Sequence, residues 1–476
     1  MISPSLTVHP ALRRLLPLAA ILATWLALPS AASADAETYT YKVPIKVAGY
    51  EVLQDIRAPI PEPNVDGMVT RMRTDIVDAS GDPIPIDRLM LHHIVYVNIN
   101  GQDATCAGDG FLGWDGKPLF SGFAPERFFA AGEERARLQL PDGYGYELED
   151  TDNWAMNYMV MNHRKTVDEG FIEYTVTVDD DPDLEPVTPY WFDSRNCQAD
   201  PIYNVKGHGR KGSTDTETST FTMPRAGRII AGGGHTHGGA RKLTLTEPDC
   251  DDRRIAQSLP TWGMPDHPFY NVKPVLHEPG PIDMSGFWTE TGIPVAEGER
   301  IRLNSKYEDS RPHVRVMGIF VTYIAHDASV TDPCGAMPDD IFTRQTAAPG
   351  RSEPVRYRIP IYDLNDKGDA VRVKAPPGKL QKAKSGVTVG IEGREFTRPN
   401  LQLKKGSRLN WRFDGPEIHN ITLANGPVGI GSPNLNDERV FTKKLRRPGT
   451  YRFFCALHPV QMTERVEVVK RRKGSR

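Results

Sequence analysis

Arg446-Arg-Pro-Gly-Thr-Tyr-Arg-Phe-Phe-Cys455-Ala-Leu-His458-Pro-Val-Gln-Met462 decides the reading of this 476-residue chain. A Pro-Gly turn feeds the strand-like run Tyr451-Arg-Phe-Phe454, so the cysteine stands at the end of a strand and the loop after it carries a histidine and a methionine. Upstream, Ile418-His419-Asn420 offers a second imidazole from a distant strand. One thiolate, two imidazoles and one thioether form the ligand set of a mononuclear type 1 copper. Soft sulfur favours Cu(I), imidazole accepts Cu(II), and a rigid sandwich holding one geometry for both permits fast one-electron exchange. Cys455 is the single cysteine of this region, which argues against a dinuclear copper centre.

From about Val355 to Val469, short alternating stretches such as Leu401-Gln-Leu403 and Arg408-Leu-Asn-Trp411 lie between Gly and Pro turns. With the compact ligand loop and the distant His419, this region resembles the cupredoxins, the plastocyanin and pseudoazurin group in particular. The resemblance implies a Greek-key β-sandwich over residues 355–470, with copper on His419, Cys455, His458 and Met462. The spacing of His458 and Met462 departs slightly from the plastocyanin pattern, which bears on Met462 as axial ligand.

Residues 1–34 read as a secretory signal. Arg13 and Arg14 precede an apolar run from Leu15 to Leu28, and Ala32-Ser33-Ala34 is a small-residue cleavage site. The expected location is therefore extracytoplasmic, secreted or periplasmic, and no stretch is long enough for an integral membrane segment. In that oxidising setting Cys106, Cys197, Cys250 and Cys334 are expected to pair, leaving Cys455 for a metal. Three pairings are open. Cys106 with Cys197 and Cys250 with Cys334 is favoured only on the ground of keeping each bridge within one presumed half of the chain. Gly and Pro total 82 residues, strand-like alternation recurs throughout, and helical periodicity is scarce, so an all-β chain of two or three domains is expected. A net charge of −3 gives no reason to expect a nucleic-acid partner. The basic tail, residues 471–476, reads as a solvated terminus.

Three histidine motifs stand upstream: Leu91-His92-His93-Ile94, Met161-Asn162-His163, and Gly232-Gly-Gly-His235-Thr-His237-Gly-Gly239. His235 and His237 are two apart, so on a strand both rings face one side and can grip one ion, with glycines leaving room. His92 and His93 are adjacent and would face opposite sides, so joint ligation demands a bulge. Met317 lies in the strand-like segment Arg315–Tyr323, with His313 as a competing ligand. His208, His267, His277 and His326 have no motif around them and read as structural or exposed.

In content and order, residues 40–330 resemble the type II copper, ascorbate-dependent monooxygenases, the family of peptidylglycine α-hydroxylating monooxygenase and dopamine β-monooxygenase. The resemblance implies two jelly-roll-like β-sandwich halves, residues 35–190 and 191–330, facing each other across a cleft. It implies an electron-storing copper on His92, His93 and His163 and an oxygen-activating copper on His235, His237 and Met317, the last three being the catalytic set. It further implies a small-molecule substrate, O₂, hydroxylation of a C–H bond, and ascorbate or another one-electron donor, a redox partner protein among them. Ile319 and Val321 stand where peptide-amidating members place asparagine and tyrosine to hold a substrate carboxylate, which disfavours a peptidyl-glycine substrate.

The fused chain reads as a copper monooxygenase with its own electron-entry domain, since tethering raises the local concentration of a donor. Residues 331–354, rich in Ala, Pro, Asp and Thr, read as a linker that would let the carrier dock and release. The expected cofactors are copper at two type 2 sites and one type 1 site. A secreted copper-binding electron-transfer protein without turnover is the alternative.

Overall fold

The computed structural model describes residues 36–108, 110–119, 122–344 and 350–470. The expected leader and basic tail lie outside the described residues, as does part of the expected linker.

The described residues are almost wholly β, as expected from the composition. Alternation builds the strands: Asp168–Asp179 buries every second side chain, placing Ile172, Tyr174 and Val176 in the core and their neighbours toward solvent. A ten-stranded sheet runs through residues 37–344. Its order along the main path is Glu37–Val47, Asp168–Asp179, Gly67–Val77, Tyr144–Leu148, Glu185–Asp193, Gly318–His326, Gly227–Thr236, Gly286–Val295 and Phe342–Arg344. The strand Glu185–Asp193 is the seam. It pairs parallel with Tyr144–Leu148 on one side and antiparallel with Gly318–His326 on the other. It runs through residue 190, where the division between halves was expected.

A four-stranded sheet, Val52–Ile60, Trp154–Asn162, Leu89–Gln102 and Pro125–Gly132, contributes Ile94, Tyr96, Phe128 and Trp154 to a core shared with the first strands of the long sheet. Another, Thr214–Thr222, Arg300–Glu308, Ala240–Glu247 and Arg253–Ser258, closes a second core around Leu243, Leu303 and Phe320. Cys106–Cys197 and Cys250–Cys334 are the two disulfides. Cys197 lies beyond residue 190, so the first bridge crosses the expected division rather than staying within one half.

The C-terminal sandwich has a five-stranded sheet that includes Thr422–Asn425, Gly449–Phe454 and Thr463–Val469, and a four-stranded sheet that includes Arg408–Asp414. Trp411, Tyr451, Phe453 and Val466 fill its centre. The sandwich is bound to the rest of the body. Val52 donates its amide to the Leu457 carbonyl at 3.0 Å and Gly429 to that of Lys206 at 3.0 Å. Asn434 bonds Gln54, and Lys165 pairs with Asp369.

Candidate metal centres and the cavity beside them

The strand Gly449–Phe454 delivers Cys455 to a fully buried position, and the loop after it folds back on itself. The Cys455 amide donates to the Met462 carbonyl and the Met462 amide to the His458 carbonyl, each at 3.1 Å. Cys455 Sγ lies 3.7 Å from His458 Nδ1 and 3.9 Å from His419 Nδ1, and the Asn420 amide donates to the same sulfur at 3.4 Å. Burial opposes ionisation of the thiol, yet hydrogen bonds from the two imidazoles bring it down to about 6. His419, Cys455 and His458 stand within reach of one ion. Met462 is fully buried in the same loop.

The upstream histidines also converge, in groups that differ from those drawn from the sequence. His92, His93 and His237 are within reach of one ion. His237 lies 4.9 Å, ring to ring, from His92 and 5.2 Å from His235. The strand Leu89–Gln102 slips register against Trp154–Asn162 between Leu91 and His93, and this is the bulge that adjacent ligands require. His163 Nδ1 donates to the Pro274 carbonyl at 2.9 Å, and His235 Nδ1 faces Glu134 Oε1 at 3.0 Å. His237 Nδ1 donates to the Arg315 carbonyl at 3.0 Å.

Each of those three rings is thereby anchored through Nδ1, and each leaves a buried Nε2 with no hydrogen-bond partner. His93 and His277 leave a buried Nδ1 in the same condition. A buried polar atom without a partner is costly, and a ring whose far nitrogen is fixed by a carbonyl or carboxylate is the usual form of a metal-bound histidine. Burial, the largest influence, holds His93 and His237 well below the ordinary imidazole value and His163 down at about 4, so these rings are neutral and their lone pairs free at neutral pH. The residues present therefore fit copper.

His277, read from the sequence as structural or exposed, is a correction: its ring packs 4.9 Å from that of His92, and Glu133 accepts from both. The adjacent Glu133 and Glu134 divide the work, the first serving His92 and His277 and the second His235. Their signal in the sequence was a pair of carboxylates directly after the apolar run Phe128-Phe-Ala-Ala-Gly132. His313 is no free ligand, because Glu278 occupies its Nδ1 at 3.0 Å and Glu308 its Nε2 at 3.1 Å. Met317 packs with Trp191 and Ile319 and lines two cavities. The larger, about 620 Å³, also reaches His93 and His235. The smaller, about 90 Å³, lies between His92, His93, His237 and His277 on one side and Phe454, Ala456 and Leu457 of the C-terminal sandwich on the other.

Arg315 joins the two ligand sets. Its backbone sits in the left-handed region at φ 54°, and its carbonyl accepts from His237. Its guanidinium donates to the Ser432 carbonyl and, at 3.0 Å, to Asn434 Oδ1. Asn420 Nδ2 donates to the same Asn434 oxygen at 2.9 Å, and the Asn420 amide donates to Cys455. A continuous chain of hydrogen bonds and covalent bonds thus runs from Cys455 to His237.

Residues 170–327 match the family described as Stress up-regulated Nod 19. A protein of a Phoma species named "Probable copper-dependent oxygenase M1" is 24% identical over 316 residues, 60% of this chain and 70% of that protein. A protein of Cochliobolus lunatus named "Probable copper-dependent oxygenase clz3" is 25% identical over 266 residues, 50% of this chain and 72% of that protein. Amicyanin-alpha of Methylorubrum extorquens is 31% identical over 84 residues, 17% of this chain and 71% of that protein.

Proposed function

Taking as premise that the chain, over its C-terminal segment, belongs to the amicyanin family, we propose that the whole protein is an extracytoplasmic copper-dependent monooxygenase that hydroxylates a C–H bond with O₂ and receives its electrons through the tethered type 1 copper domain. The two relatives named as copper-dependent oxygenases support the oxygenase part of this reading. The observation that carries it is the set of five buried imidazole nitrogens without partners, on His93, His163, His235, His237 and His277, all but His163 lining one of the two cavities.

Copper at the histidine cluster would supply one-electron redox chemistry and activation of O₂, and at Cys455 one-electron transfer alone. His419, Cys455, His458 and Met462 would hold the type 1 ion. Six imidazoles exceed what one copper accepts, so His92, His93 and His237 would hold one type 2 ion, and a second would draw on His235 and Met317, which line the same cavity. Glu133, Glu134 and the carbonyls of Pro274 and Arg315 fix ring orientation and tautomer, each by accepting from the nitrogen that does not face the ion. Asn434 and Asn420 connect Arg315 to the cysteine sulfur, so the route from Cys455 to His237 needs no movement of the carrier. In this reading the carrier works from a fixed seat rather than by docking and release through residues 331–354.

Metal analysis tests the reading. The mature protein loaded with Cu(II) and dialysed should retain about three coppers per chain, as the ligand sets require. His237→Ala should lose copper from the cluster while keeping the blue absorption, and Cys455→Ser should lose the blue copper alone. Retention of one copper, unaffected by His237→Ala, overturns the monooxygenase reading and leaves an electron carrier.

A further inference from the structure

Three strand faces lead away from the histidine cluster along the cavity of about 620 Å³. On Leu89–Gln102 every second residue after His93 turns into it: Val95, Val97 and Ile99. From Met317, the next strand sends in Ile319, Val321 and Tyr323. On Gly227–Thr236 the facing residues are Ala231, Gly233 and His235. Each ladder has one candidate ligand at one end and is otherwise aliphatic, aromatic or small. A molecule lying along them has one end at His93, His235 and Met317.

Of the charged groups lining the cavity, Arg127, Glu134 and Asp200 are engaged. Arg127 pairs with Asp103 at 2.7 Å and stacks on Phe111 and Trp191. Glu134 faces His235, and Asp200 lies 3.6 Å from Arg315. Ile319 and Val321 place aliphatic carbon along the wall. Arg137 and Arg344 also line the cavity, and Arg137 is exposed. A cavity of this size suits a drug-sized ligand, and burying a carboxylate against an apolar ladder without a partner is strongly unfavourable.

We infer that this cavity binds a neutral, predominantly apolar small molecule, lengthwise along the ladders, as the substrate of the proposed monooxygenase. The inference rests on that reading only for the word substrate. Binding itself depends on the cavity.

Biphenyl and biphenyl-4-carboxylate are suitable probes, titrated into the full chain with and without copper and followed by the fluorescence of Trp191 and Trp288, both of which line the cavity. Gly233→Leu fills the space, since a Cβ at Gly233 meets nothing closer than 3.8 Å. Val97→Phe fills it from the opposite wall, and thermal melts confirm that both variants fold. Biphenyl should bind the copper-free protein, the carboxylate at least about 10-fold more weakly because its charge must be desolvated, and both variants should lose biphenyl binding. Equal or tighter binding of the carboxylate overturns the inference in favour of an anion held by Arg137 and Arg344. Absent biphenyl binding, or binding unchanged in both variants, overturns it outright. Oxygen uptake by the copper-loaded protein decides the enzymatic reading separately.

Discussion

Replacing Arg315 by methionine removes one charge from the seam between the two ligand sets and leaves the backbone as it is. Methionine keeps an unbranched apolar stem in place of arginine's and meets the same left-handed cost at φ 54°, so the guanidinium is the variable. Lost with it are the bonds to the Ser432 carbonyl and Asn434 Oδ1 and the ion pair with Asp200. The Arg315 side chain is only 11% exposed, so solvent screens little of this. Hydrogen bonds to a charged donor contribute about 1.5–3 kcal/mol each, which puts the loss across the interface at about 3–6 kcal/mol. Scanning calorimetry of the copper-free protein should show the C-terminal sandwich melting separately and earlier, by at least about 10 °C at roughly 4 °C per kcal/mol for a unit of this size. The carbonyl that fixes His237 belongs to the backbone, so copper retention at the cluster should change far less than the melting profile. A single transition shifted by less than about 3 °C, under 1 kcal/mol, refutes the claim that Arg315 clamps the two parts together.

Glu134→Gln removes the carboxylate that faces His235. It should lower copper affinity of the cluster by roughly 10–100-fold in competition with a chelator. Burial, its largest influence, raises Glu126 from 4.5 to about 7. The folded chain therefore holds a proton that the unfolded chain releases, and this contribution to stability is full below pH 4.5 and lost as pH rises to about 7. Glu126→Gln should flatten that part of a denaturation-versus-pH series, and an unchanged slope would count against the assignment. Replacing Cys250 and Cys334 together by serine opens a bridge spanning 84 residues. It should cost about 4–5 kcal/mol by loop entropy, read from chemical denaturation.

The cysteine-centred site was legible because its chemistry is local. Cys455, His458 and Met462 lie in one loop, and a strand ending at a thiol with that loop behind it has few other uses. The bulge at His92 was also legible, since two adjacent ligands cannot share a face on a regular strand. The grouping of the upstream ligands was not. His237 meets His92 and His93 because the strand Glu185–Asp193 stitches both halves into one sheet, and such long-range pairing leaves no mark in spacing. His277 was missed for the same reason: its partner is Glu133, 144 residues away. The residues expected as a flexible linker connect parts already held by Val52–Leu457, Asn434–Gln54 and Arg315, contacts set by tertiary packing rather than by composition.

The central claim is that electrons pass from the Cys455 site to the histidine cluster within one chain and are consumed there with O₂. Its most direct test reduces the copper-loaded protein with ascorbate until the blue absorption is bleached, removes the reductant, adds O₂, and times the return of the colour in the wild type and in His237→Ala. The account predicts prompt return in the wild type with matching oxygen uptake, and return slowed by at least about 10-fold in His237→Ala, since losing even a hydrogen-bond partner of a metal ligand costs roughly 10–100-fold. Equal rates in the two proteins would contradict it, because the cysteine site would then be giving its electron to oxygen without the cluster.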